Sequence, residues 1–102
     1  MIRYSRKTYE AVSRADMNKL GVQLGAACVD AEIPVQVVAR WLNVSRQAVY
    51  YWFTGVTDIE PKKRARASAI IGVLLKALDA QELPAADLAA AIEIVKKYKG
   101  VK

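Results

Sequence analysis

Residues Val35–Gly55 read VQVVARWLNVSRQAVYYWFTG, and the fold is decided there. Val38, Ala39 and Leu42 recur at three- and four-residue spacing, which predicts a short helix over Val35–Leu42. Val49, Trp52 and Phe53 repeat that spacing and predict a second helix over Ser45–Thr54. Asn43-Val44 leaves room only for a tight turn between them. Asn is among the few non-glycine residues that accept left-handed backbone angles. Ser45 then stands at the N-cap position, where its hydroxyl can accept a hydrogen bond from a free backbone N–H. Gly55 closes the second helix, as glycine commonly does.

This pattern resembles the helix-turn-helix of Cro and lambda-repressor-type proteins. The small Ala39, the turn pair Asn43-Val44 and the inward Val49 and Trp52 stand at the family's offsets, and the likeness covers roughly residues 19–78. Two departures are visible. Val35 stands where the family often has Gln, with Gln36 one place along, and Thr54 stands where it often has Asn. Both positions commonly touch phosphates in that family. The resemblance implies an all-α, lambda-repressor-like domain that binds double-stranded DNA and regulates transcription, and it implies a phage or mobile-element repressor working as a homodimer.

The residues of the second helix fit that role independently. With Val49 at the centre of the inner face and about 100° per residue, Trp52, Phe53 and Ala48 fall inward. Gln47, Tyr50, Tyr51 and Thr54 fall outward, and Arg46 flanks them near the helix start. Gln can bond bidentately to adenine and Arg to guanine, while aromatic rings can contact thymine methyls. Arg46, Gln47, Tyr50 and Tyr51 are therefore the expected base-reading residues. Gln36, Ser45, Thr54, Lys62, Lys63 and Arg64 are the expected phosphate contacts. Two adjacent tyrosines cannot both enter a core face already filled, so they meet either DNA or another protein.

Composition bounds the alternatives. The chain has 102 residues, enough for one domain with a small core, and 54% of them are apolar. The apolar spacing is helical almost throughout, which gives an all-α protein of about five helices. A net charge of +6 and a pI near 9.6 favour a polyanionic partner. There is no histidine, and no paired carboxylates or nucleophile arrangement suggests an enzyme. No metal site or cofactor is expected. The single Cys28 excludes an internal disulfide and suits a reducing cytoplasm. The first 20 residues lack the apolar run of a secretory signal, and the run Ala69–Leu75 is too short to cross a bilayer.

In chain order, residues 1–15 are a basic segment. It is either an arm whose Arg3, Arg6, Lys7 and Arg14 reach DNA, or a short element covering the core with Ile2, Tyr4, Tyr9 and Val12. Residues 16–80 form the expected core, with residues 35–55 as its motif. Its first helix is expected over Asp16–Ala31, capped by Asp16, with Met17, Leu20, Leu24, Ala27 and Cys28 inward. Gly21 and Gly25 should admit a neighbouring helix closely. Thr57 and Glu60 have capping-box spacing ahead of a long helix from Pro61 to about Ala80. That helix begins PKKRAR, and cations there oppose the helix dipole, which phosphates would offset. Its apolar face is so wide that it either packs on two sides or is partly covered by a second subunit. A last helix over residues 84–99 carries Leu88, Ala91, Ile92, Ile94, Val95 and Tyr98 on one face, with Glu93, Lys96 and Lys97 outward, and is a candidate dimerisation element. A protein-binding module on the same fold, a phage inhibitor acting on a host protein through Tyr50–Phe53, is the rival reading.

Overall fold

The computed structural model describes residues 4–99, with the side chains of Tyr98 and Lys99 outside the description. The described residues form six helices and no strand: α1 (Arg6–Arg14), α2 (Leu20–Ala31), α3 (Val35–Leu42), α4 (Arg46–Phe53), α5 (Pro61–Asp79) and α6 (Leu88–Lys99). The expected count of about five falls one short, because the N-terminal segment supplies a helix of its own. Ser5 starts it: its hydroxyl oxygen accepts from the Thr8 N–H at 3.2 Å. Tyr4 and Val12 enter the core, as the second of the two alternatives for this segment had them, but Tyr9 is half exposed and does not. Ile2 and Arg3, part of the same expectation, lie outside the described residues, as does the side chain of Tyr98.

α2 is the central helix. It packs against α1, α4 and α5. Gly21, Val22, Leu24, Gly25, Ala27, Cys28, Val29 and Ala31 are all buried, so the helix is apolar nearly all round, as a surrounded helix must be. It starts at Leu20 and not at Asp16. The Asp16 carboxylate instead accepts from the Asn18 N–H at 2.9 Å, a local turn that delays the helix and leaves Met17 exposed. α5 is also packed on more than one side, against α2, α3 and α6. Ala67, Ile70, Ile71, Leu74 and Ala77 are buried there, while Leu75 remains exposed.

One expected cap is absent and one further helix start differs from the sequence reading, each for a local reason. The residue before proline avoids helical angles, and Glu60 sits at φ −64°, ψ 151°, so α5 starts at Pro61 and the Thr57–Glu60 box does not form. α6 begins at Leu88 rather than near Pro84, because the Asp87 carboxylate accepts from the Ala90 N–H at 2.9 Å and sets the cap. Ala91 and Val95 anchor α6 in the core, with Leu88, Ile92 and Ile94 half-buried beside them. Among the described residues no charged side chain is buried, and no helix is long and apolar enough to cross a membrane.

Cys28 lies in the centre of this core. Burial pushes its thiol far above the ordinary range, so it behaves as a small apolar side chain and not as a nucleophile. Tyr4 packs its ring against Phe53, with centroids 6.3 Å apart and planes tilted by 50°. Its hydroxyl donates to the Ile33 carbonyl oxygen, which pins the chain ahead of α1 to the α2–α3 junction.

Candidate nucleic-acid interface

The α3–turn–α4 pair forms as its residues require. Asn43 takes the left-handed angles φ 56°, ψ 52°, and the Val44 N–H bonds to the Ala39 carbonyl at 3.0 Å. Ala39 is buried, and α3 packs against α4. Ser45 caps α4: its hydroxyl oxygen accepts from the Ala48 N–H at 3.1 Å. The expected span Ser45–Thr54 thus resolves into an eight-residue helix with Ser45 and Thr54 as its two caps.

The inner face of α4 is held by α2. A Cβ placed on Gly21 would lie 2.7 Å from Trp52 Cβ and 2.8 Å from the Trp52 carbonyl oxygen. One on Gly25 would lie 2.8 Å from Phe53 Cγ. Only glycine permits this approach of the two helices. Val49, Trp52 and Phe53 are buried as a result, and Ala48 is half-buried.

Polar contacts fix the far end of α4 to the start of α2. Lys19 donates from Nζ to the Gly55 carbonyl oxygen at 2.7 Å. Gly55 itself has φ +81°, the left-handed region that suits glycine at a helix end. The Gly21 N–H, one of the free donors in the first turn of α2, donates to Asp58 Oδ1 at 2.9 Å. Lys19 holds the N-cap position of α2 but its side chain makes no cap bond, so Asp58 caps that helix from the α4–α5 loop. The Ile59 N–H donates to the same oxygen at 2.8 Å, and Arg64 reaches Oδ2 at 3.4 Å. Partial burial works to raise the Asp58 pKa, but the two N–H donors and the Arg64 guanidinium outweigh it and hold the carboxyl below its usual range.

The outer face of α4 is open. Arg46, Gln47, Tyr50 and Tyr51 are all exposed, the two tyrosines by 42% each. Gln47 Nε2 donates to the Tyr51 hydroxyl at 2.9 Å, one helical turn along. Thr54 donates from Oγ1 to the Tyr50 carbonyl oxygen at 2.8 Å. Of the expected phosphate contacts, Gln36, Ser45 and Lys62 are exposed, and Thr54 and Lys63 are half-buried. Arg64 is turned toward Asp58 and also donates to the Ile59 carbonyl oxygen at 3.3 Å.

Sequence reasoning missed Lys19, Asp58, Ser5 and Thr8. Nothing local marks Asp58, whose Gly21 donor is 37 residues away, or Lys19, which reaches Gly55. Ser5 and Thr8, by contrast, stand at the three-residue spacing of an N-cap, a signal the sequence did carry. Among the described residues no group of His, Cys, Asp or Glu comes together in a form that could hold a metal ion. No protein-family model, curated protein or solved structure matches the chain.

Proposed function

We propose that the protein is a sequence-specific DNA-binding regulator of the lambda-repressor-like helix-turn-helix type, reading duplex DNA with α4 in the major groove. The observation that carries this reading is α4 itself. Its inner face is buried against two glycines of α2, and its outer face presents polar and aromatic side chains to solvent. A recognition helix needs that combination, because base edges are read only by side chains held in register with the groove. The net charge of +6 supplies attraction to the phosphate backbone. Gln47 and Tyr51 stand at the centre of the reading face, and Lys62 and Lys63 lie at the start of α5 as backbone contacts. Such readers work as dimers on two-fold sites, which makes a homodimer with paired half-sites part of the proposal. It would regulate transcription in the host cytoplasm.

The test is selection from random duplex DNA near physiological salt, with wild type beside Gln47→Ala. An enriched two-fold motif that the substitution alters supports the reading. A folded protein that enriches no motif refutes it. The exposure of Tyr50 and Tyr51 also favours a second reading, an aromatic-centred surface for a host protein. The two separate on salt dependence. DNA affinity falls with a log–log slope of roughly −0.9 per phosphate contact, and an aromatic protein interface depends far less on salt.

A further inference from the structure

A cleft of about 230 Å³ opens where α1, α3 and α4 meet. Ser5 and Thr8, at the start of α1, line one side. Gln36 of α3 and Arg46 and Tyr50 of α4 line the others. Among the described residues of the lining, Arg46 carries the single formal charge and there is no carboxylate. Thr8 Oγ1 accepts from the Ser5 hydroxyl at 3.0 Å, so its own proton remains to donate outward. A guanidinium, a side-chain amide and hydroxyl donors with no opposing carboxylate make a lining suited to an anion. Arg favours phosphate in particular, because its planar fork matches two phosphate oxygens. Arg46 and Tyr50 also belong to the open side of α4, so an anion held here lies beside any groove that α4 enters.

We propose that this cleft seats one phosphodiester of duplex DNA, with Arg46 as its anchor and α1 as its second wall. The proposal rests on the DNA-binding reading. It moves Arg46 from the base edges, where the helical wheel alone places it, to the backbone. It also gives α1, a helix outside the stretch that resembles the helix-turn-helix family, a direct part in binding.

The experiment compares wild type, Arg46→Gln and Thr8→Glu on a selected duplex and on a scrambled duplex, across a salt series. Thr8→Glu puts a negative charge into the cleft. It also completes a capping box with Ser5, so α1 is kept. Both variants should bind each duplex about tenfold more weakly, the order expected for one charge-assisted hydrogen bond. Arg46→Gln should also flatten the salt slope by roughly 0.9. A loss by Arg46→Gln on the selected duplex alone would return Arg46 to base reading and overturn the proposal. So would a Thr8→Glu protein that binds both duplexes like wild type. Wild type that binds no duplex at all would remove the DNA-binding reading and the seat with it.

Discussion

Alanine placed at three helix glycines should give effects of opposite sign. At Gly21 the new Cβ would sit 2.7 Å from Trp52 Cβ and 2.8 Å from the Trp52 carbonyl oxygen, where ordinary contact begins at 3.4 Å. Alanine improves helix propensity by about 1 kcal/mol over glycine. Overpacking of a close-packed core costs about 1–3 kcal/mol, and the clash here is with backbone, which has no rotamer to change. The clash should win. α2 and α4 would have to separate, and the buried hold on Trp52 would loosen. The net loss, up to about 2 kcal/mol, lowers the melting temperature by up to about 15 °C. Gly25→Ala should act in the same direction, since its Cβ would meet Phe53 Cγ at 2.8 Å. Gly72, midway along α5, is the control. A Cβ there meets nothing within 4 Å, so only the propensity gain remains. Gly72→Ala should raise the melting temperature by about 4–8 °C. Thermal denaturation of the three variants, followed by circular dichroism, reads all of this directly. Gly21→Ala melting at or above wild type would refute the close α2–α4 crossing. Gly72→Ala melting below wild type would refute an open α5 face.

Other expected outcomes concern the contacts around α4. Asp58→Asn should cost about 1 kcal/mol at neutral pH by weakening the bonds from the Gly21 and Ile59 N–H groups, as measured by urea denaturation. The folded pKa of Asp58 is depressed, so its contribution is complete above the unfolded value near 3.9 and is lost as pH falls through the lower folded value. The urea midpoint of wild type should therefore fall through that acid window, and Asp58→Asn should flatten the fall. An equal pH dependence in both proteins would assign it to other carboxyls. Tyr51→Phe removes the hydroxyl that fixes Gln47 and should reduce preference for the selected duplex while leaving the melting temperature within about 2 °C of wild type. Unchanged preference would show that Gln47 is placed without Tyr51. The Cys28 thiol should resist alkylation in the native protein and react fully in denaturant, because burial both blocks it and disfavours the thiolate. Rapid native labelling would contradict its place in the core.

Much of the fold could be read from the sequence because its signals are local. Helical spacing of Val38, Ala39 and Leu42, and of Val49, Trp52 and Phe53, placed α3 and α4 within a residue of their ends. Asn43 and Ser45 carried the turn and the cap in their own side chains. Helix starts at α2 and α6, and the expected cap ahead of α5, failed where two local rules competed. Asp16 made a turn before α2 instead of capping it, proline excluded the Thr57–Glu60 box, and Asp87 took the cap of α6. In each case a short-range bond or backbone restriction overrode a spacing pattern.

By itself, then, the sequence determined an all-helical chain, the α3–turn–α4 pair, and which side of α4 faces outward. Those follow from periodicity and from side chains acting on their own backbone. Tertiary structure alone decided the rest. Gly21 and Gly25 signalled a close approach, but only the packed chain names Trp52 and Phe53 as what approaches. The donor that caps α2 finds its acceptor 37 residues away. Ser5 and Thr8 come to share a cleft with Arg46, and the Tyr4 ahead of them is anchored against Phe53 and Ile33. Such contacts join residues distant in the chain, and no spacing rule along it encodes which of them will meet.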